Sequence, residues 1–302
     1  MVRLYLIERR EILAIASRLR RFRKKLGRPP EFDMMVVPPG KWWNLRLAEL
    51  WPFRELLYFL TWRELKVRYK QTMLGVFWAV LQPLLTMVVF SVIFGNFAKL
   101  PSDGFPYPIF TYVALLPWQL FSRALSDASQ SLVSNQHMVS KIYFPRIFLP
   151  SSTVLASMVD FGIAFVILFG MMAFYGIAPT WRMLTLPLLI IAAVLSAIAI
   201  GLWLSAINVK YRDIKYITPF LVQMWLYATP VAYSTALFPE EWRPLLGLNP
   251  MAGVVDGFRW ALLGQEIHSS PLIVVSLVTM VVLLVGGLIY FQNTEQTFAD
   301  VI

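Results

Sequence analysis

Side chains able to do chemistry are sparse and scattered along this 302-residue chain. There is no cysteine, and the two histidines, His137 and His268, are far apart. That removes disulfides, thiolate metal sites, a cysteine nucleophile and a histidine-rich metal centre. No Gly-x-x-x-x-Gly-Lys-[Ser/Thr] loop is present to cradle the phosphates of a nucleotide, and neither His-Glu-x-x-His nor Gly-x-Ser-x-Gly occurs. The acids Asp127, Asp160, Asp213 and Asp256 are spread out rather than clustered. The expectation is a chain with no catalytic residue, no metal and no cofactor of its own.

What remains are polar residues set at helical spacing inside apolar runs. Gly75, Ala79, Gln82 and Thr86 fall on one side of a helix at steps of three or four, and Gln223, Tyr227, Pro230 and Ser234 fall on one face in a later run. Small and polar residues along one face mark packing against other helices or the wall of a cavity. Asp160 sits inside an apolar run after Ser151, Ser152, Thr153 and Ser157. An acid at membrane depth is costly and faces protein or water, either touching substrate or gating, or satisfying a structural hydrogen bond. The 11 Trp, 12 Tyr and 22 Phe form interface belts and packing, or line a passage where flat faces with a polar tip stack on sugar rings.

The elements that carry these residues are membrane helices. With 58% hydrophobic and 15% charged residues, a soluble domain of this length could not be solvated, so the chain reads as an all-α integral membrane protein. Its net charge of +10 concentrates beside apolar spans, where anionic headgroups and the positive-inside bias account for it better than nucleic acid does. Residues 1–50 form a basic extension. Ile12, Ile15, Leu19, Phe22 and Leu26 recur at helical spacing among Arg and Lys, which predicts an amphipathic helix on an anionic membrane face. A Pro- and Gly-rich linker, 27–40, follows it.

Residues 51–302 hold six expected spans, at about 73–94, 109–133, 147–175, 184–207, 217–236 and 272–291. Each is long enough for about 30 Å of hydrocarbon. Placing Lys99, Arg182, Arg243 and Arg259 outside leaves the other Lys and Arg inside, with both termini cytoplasmic. The helical piece at about 251–263 is too short to cross and should lie at the interface or re-enter.

Several motifs occur in a fixed order along the chain. They begin with Trp62-Arg63-Glu64-Leu65-Lys66-Val67-Arg68-Tyr69, Leu74-Gly75-Val76-Phe77-Trp78-Ala79 and Gln82-Pro83. Further along come Lys141 with Phe144-Pro145, Asn208-Val209 with Tyr211-Arg212-Asp213-Ile214, and Thr229-Pro230-Val231 with Tyr233. Asn249-Pro250-Met251 and a tail with Glu295 and Phe298-Ala299-Asp300 complete the set. Taken in this order they resemble the permease subunits of ABC transporters that export polysaccharides such as O-antigen, capsule and teichoic acid; the resemblance covers residues from about Trp51 to the end, and the N-terminal extension is longer than the family usually carries.

The resemblance implies a homodimer with two copies of a separate cytoplasmic ATPase, which would hold ATP and Mg, and a lipid-linked polysaccharide as cargo. Carried over by position, it makes Trp62, Arg63, Lys66, Arg68 and Tyr69 a gate helix at the inner interface. Gly75, Trp78, Gln82, Thr86, Asp160, Gln223, Tyr227 and Tyr233 become candidates for lining the passage. Asn135, His137, Lys141, Phe144 and Arg146 would couple to the ATPase, and Asn249, Pro250, Asp256 and Arg259 would form an external gate of re-entrant helices. Two other readings stand beside this one: a permease of the same architecture for a drug or small lipid, and a membrane-embedded glycan-modifying enzyme.

Overall fold

The computed structural model describes residues 47–70, 75–142, 144–267 and 269–298, all within one compact unit. The amphipathic helix expected near the N-terminus lies outside them. Apolar sequence in hydrocarbon must satisfy its backbone internally, which favours helices, and among the described residues there is no strand. A 3-10 turn, Leu47–Phe53, leads into α1 (Arg54–Lys70). Helix α2 (Gly75–Phe90) widens into a π-helical segment, Ser91–Phe97. Then follow α3 (Tyr107–Ser134), the short α4 (Gln136–Lys141), α5 (Phe148–Phe174), a 3-10 turn (Trp181–Thr185) and α6 (Leu186–Lys210). After it come α7 (Ile214–Ala228), a 3-10 turn (Thr235–Leu237), the single turn α8 (Arg243–Leu246), α9 (Pro250–Leu263) and α10 (Ser270–Glu295).

Among the described residues, four stretches are long and apolar enough to cross a membrane: Phe77–Phe97, Phe148–Phe174, Trp181–Lys210 and Ser270–Glu295. Helix α3 is also long enough, with 28 residues, but carries Arg123, Asp127 and five serines. It tolerates them because it is the centre of the bundle. Helices α2, α5, α6, α7 and α9 all pack on it, so its polar groups meet protein rather than lipid. Close approach is built in by small residues: a Cβ on Gly201 of α6 would stand 2.9 Å from the Cβ of Ala128 on α3.

Helix α7 stops at Ala228, earlier than the 217–236 expected from hydropathy. Thr229 precedes Pro230, and the residue before a proline is pushed away from helical geometry. The irregular chain that follows is nonetheless buried at Thr229, Val231, Ala232, Ser234 and Thr235. Such backbone survives in an apolar setting only when its polar groups find partners. Arg259, fully buried on α9, supplies them. Its Nη2 donates to the Val231 carbonyl at 2.8 Å and its Nη1 to the Tyr233 carbonyl at 3.0 Å, while the guanidinium lies 3.6 Å from the Phe110 ring centre. The Tyr107 hydroxyl donates to the Ala232 carbonyl between them.

Helix α9 has 14 residues, about 21 Å at 1.5 Å per residue. It seats against α10 through Gly253, whose N–H donates to Ser276 Oγ at 3.0 Å, and a Cβ there would meet the Ser276 Cβ at 2.6 Å. At the opposite end of the bundle a second apolar cluster joins Leu60, Leu132, Val139, Phe144, Phe148, Phe291 and Phe298. Two polar ties brace it. The Arg146 backbone N–H donates to Glu295 Oε1 at 3.0 Å, and Asn208 Nδ2 donates to the Ser129 carbonyl at 2.8 Å.

Arg259→Met should leave two buried carbonyls without donors, at about 1–3 kcal/mol each. The expected outcome is a clearly lowered melting temperature in detergent, followed by fluorescence-detected size exclusion. Gly253→Val should lower it as well, because α9 would be levered off α10. A wild-type melting temperature for Arg259→Met would show that the irregular 229–237 segment does not depend on the arginine.

Candidate functional site

Helix α1 is fastened to α3 and α5 at its C-terminal end. Arg68 pairs with two carboxylates from different helices, Nη2 with Asp127 Oδ2 at 2.5 Å and Nη1 with Asp160 Oδ2 at 2.5 Å. The neighbouring Tyr69 hydroxyl donates to the other oxygen of Asp160. Arg123, one turn from Asp127 on α3, approaches Asp160 Oδ2 at 3.2 Å. Asp160 therefore collects donors from α1 and α3 while its side chain is only 9% exposed. The spacing explains the convergence: Arg123 and Asp127 stand four apart on one face of α3, and the consecutive Arg68 and Tyr69 both reach the same carboxylate. Burial, ahead of the hydrogen bond to Asp160, pushes the Tyr69 phenol up to about 12, so it remains a donor at physiological pH.

A second fastening lies near the middle of α1. Arg63 Nη2 donates to Asn135 Oδ1 at 2.6 Å and to Glu64 Oε1 at 2.7 Å. Asn135 is the residue that joins α3 to α4, and it also donates to the Ser131 carbonyl at 2.8 Å.

Beside the Arg68 junction lies a partly open cavity of about 330 Å³ lined by four helices. Helix α2 contributes Ala79, Gln82 and Pro83. Helix α3 contributes Leu116, Gln119, Leu120, Ser122, Arg123 and Ser126. Ser157, Asp160, Phe161 and Ala164 come from α5, and Pro219 and Val222 from α7. Pro83 has no N–H for the Ala79 carbonyl four residues before it, which loosens the backbone of α2 at this wall. Amide, hydroxyl, guanidinium and carboxylate groups thus face one space with an apolar flank. That set is suited to holding a hydroxyl- or amide-bearing ligand. Among the described residues, no group of three or more His, Cys, Asp or Glu side chains is placed to hold a metal ion.

The structure brings together some of the residues expected to act jointly and separates others. Arg68, Tyr69, Gln82 and Asp160 meet at the cavity and its base. Gly75 opens α2, and the Thr86 hydroxyl turns back to the Gln82 carbonyl at 2.9 Å. Trp78, Gln223 and Tyr227 are exposed and stand off the cavity wall, and the Tyr233 hydroxyl donates to the Tyr227 carbonyl at 3.0 Å. Trp62 is exposed, with the Lys66 ammonium 5.8 Å from its ring centre. In the segment after α3, His137 and Lys141 are exposed, while Phe144 is in the second core and Arg146 is bound to Glu295.

At the other end, Asn249 caps α9 by accepting from the Met251 N–H at 3.0 Å and donates to Thr229 Oγ1 at 2.8 Å. Pro250 fills the first helical position, and Asp256 accepts from Thr235 Oγ1 at 3.1 Å. With Arg259 these residues pin the irregular 229–237 segment in place. Sequence reasoning did not single out Arg123, Asp127, Gln119, Ser122 and Ser126 as site residues. The signal was present, since Gln119, Ser122, Arg123 and Ser126 recur at helical spacing as the Gly75 to Thr86 stripe does.

Asp160→Ala should take the carboxylate from Arg123 and the acceptor from the Tyr69 hydroxyl and leave Arg68 to Asp127, at a cost of about 3 kcal/mol, the low end for breaking a buried pair because both arginines are partly exposed. Arg123→Gln, at a position 39% exposed, should cost no more than about 1 kcal/mol. Thermal or SDS unfolding of the two variants would compare them, and equal losses would contradict the central place of Asp160.

Comparison with known proteins adds the following. The family model described as ABC-2 type transporter matches residues 55–263. The O-antigen export system permease protein RfbA of Myxococcus xanthus is 30% identical over 84% of this chain and 98% of its own length. The protein of the same name from Klebsiella pneumoniae is 26% identical over 82% of this chain and 95% of its own. The polysialic acid transport protein KpsM of Escherichia coli is 21% identical over 77% of this chain and 91% of its own.

Proposed function

This chain belongs to the ABC-2 type transporter family, and on that premise we propose that it is the transmembrane subunit of an exporter for a lipid-linked polysaccharide. It is a multi-pass protein of the bacterial inner membrane. Cargo moves from the cytoplasmic side outward, powered by ATP and Mg on a separate ATPase, with two permease and two ATPase subunits in the working assembly. The observation that carries this reading is co-linearity: nearly the whole length of a permease named for O-antigen export aligns with it, and the aligned family region contains the helices that wall the polar cavity.

In this reading α3 and α7, together with the four long apolar helices, make six spans, both termini are cytoplasmic, and α9 re-enters from the outside. Helix α7 needs the irregular 229–237 segment to complete its crossing, and the buried partners of that segment support such a path. Helix α1, with exposed Trp62 and fastened Arg68 and Tyr69, acts as the gate at the inner interface. The Arg63 to Asn135 hydrogen bond gives the segment around α4, the coupling element, a direct hold on that gate. The residues around Asn249 and Arg259 brace the outer side.

Deleting the gene should abolish a surface glycan and leave its lipid-linked precursor inside, as lipid extraction and glycan blotting would measure. The purified complex should hydrolyse ATP faster when lipid-linked glycan is supplied. Replacing both Trp62 and Tyr69 with Ala should reduce surface glycan severalfold with normal membrane insertion. Undiminished surface glycan in the deletion strain would sink the export reading, and undiminished export in the double variant would return α1 to the role of an anchor.

A further inference from the structure

Asp160 belongs both to the wall of the cavity and to the junction that holds α1. Resting on the reading of the chain as a glycan exporter, we infer that this cavity binds an uncharged, hydroxyl-rich sugar unit whose hydroxyl groups take Asp160 from Tyr69, freeing the C-terminal end of α1. The cavity would be a sensing pocket within one subunit, separate from any passage between two subunits.

Size gives the first argument. About 330 Å³ lies at the lower end of the roughly 300–1,000 Å³ typical of ligand pockets, room for a single sugar unit. The lining gives the second. Gln82, Gln119, Ser122, Arg123 and Asp160 supply donors and acceptors from three helices, and amide, guanidinium and carboxylate groups suit pairs of neighbouring hydroxyls. Phe161 adds an aromatic ring to the same lining, a residue type that packs against the C–H groups of a sugar.

Charge gives the third argument. Two guanidinium groups, Arg68 and Arg123, stand against two carboxylates, Asp127 and Asp160, with contacts of 2.5 to 3.2 Å. The cluster is formally neutral, so a phosphate would gain no uncompensated positive charge here and would have to displace a carboxylate. A sugar hydroxyl has only to replace the Tyr69 hydroxyl on Asp160 Oδ1, one neutral donor for another. Such an exchange changes the net hydrogen-bond energy little.

The consequence follows from linkage. A ligand that competes with Tyr69 weakens the hold on α1, and a detached α1 raises affinity for the ligand. The Arg68 to Asp127 pair persists through the exchange, so α1 loosens at its end without leaving the bundle.

The test uses the full chain with a cysteine-free partner ATPase in lipid nanodiscs. Because the chain has no cysteine, a spin label on Lys70→Cys, at the exposed end of α1, reports the motion of that helix alone. The probes are methyl glucoside, N-acetylglucosamine and, as the anion, inorganic pyrophosphate. The expected result is a saturable rise in label mobility with the sugars and none with pyrophosphate. Asp160→Asn and Gln119→Leu should each shift half-saturation upward by about tenfold, the scale of a lost charged or bidentate hydrogen bond. Tyr69→Phe should raise mobility without sugar and shrink the sugar-dependent rise.

If Asp160→Asn fails to assemble, Gln119→Leu and Tyr69→Phe carry the test. A response to pyrophosphate but not to sugars, no response to either sugar, or wild-type behaviour of both Gln119→Leu and Tyr69→Phe would overturn the inference. The deletion strain judges the parent reading independently. Loss of surface glycan together with a silent label overturns the pocket and leaves export standing, whereas an intact surface glycan overturns export.

Discussion

Charge cannot be carried into a low-dielectric interior without partners, because desolvation costs several kcal/mol per ion even after relaxation. The arrangement around Asp160 follows from that constraint. Once α5 places a carboxylate in the bundle, α3 must offer Arg123, α1 must bring Arg68 and Tyr69, and Asp127 must balance the second guanidinium. The position of α1 is thereby settled: its C-terminal end is drawn to α3 and α5, while its exposed aromatic face, including Tyr58, Phe59 and Trp62, stays outside the junction.

The same constraint acts on the backbone at the other end of the bundle. Thr229-Pro230 stops α7, and the buried peptide groups that follow, no longer paired within a helix, are costly in an apolar environment unless they find partners. Arg259 answers with a buried guanidinium directed at two carbonyls and resting on Phe110. One end of the molecule therefore uses a neutralised ion cluster that includes the Tyr69 hydroxyl, and the other uses a cation clamped by carbonyls and a ring. The first contains a neutral hydroxyl donor and borders a cavity; the second is fully buried. This difference is a physical reason to seek motion at α1 rather than around Arg259.

Helix α3 illustrates how composition and environment interact. Its Arg123, Asp127 and serines lower its apolar character below that of the four long spans, which in isolation marks a poor membrane segment. Surrounded by α2, α5, α6, α7 and α9, the same residues become the polar wall of the cavity. The stripe of Gln119, Ser122, Arg123 and Ser126 was visible in the sequence at helical spacing. Its importance was not, because spacing says which residues share a face and not what that face meets.

The sequence alone determined the all-helical membrane class and the existence of α1, α2, α3, α5, α6, α9 and α10, because hydrocarbon imposes length and apolarity. It also flagged Asp160, since an acid in an apolar run is costly wherever it points. Only the tertiary structure decided that Arg68, Tyr69, Arg123 and Asp127 converge on that acid from helices separated by up to 92 positions in the chain. It likewise decided that Gln223 and Tyr227 stand off the cavity while Gln82 lines it. Such pairings depend on the rotation and depth of each helix. Those are set by the packing of small residues such as Gly201 and Gly253 against their neighbours, and periodicity along one helix carries no information about the rotation of the next.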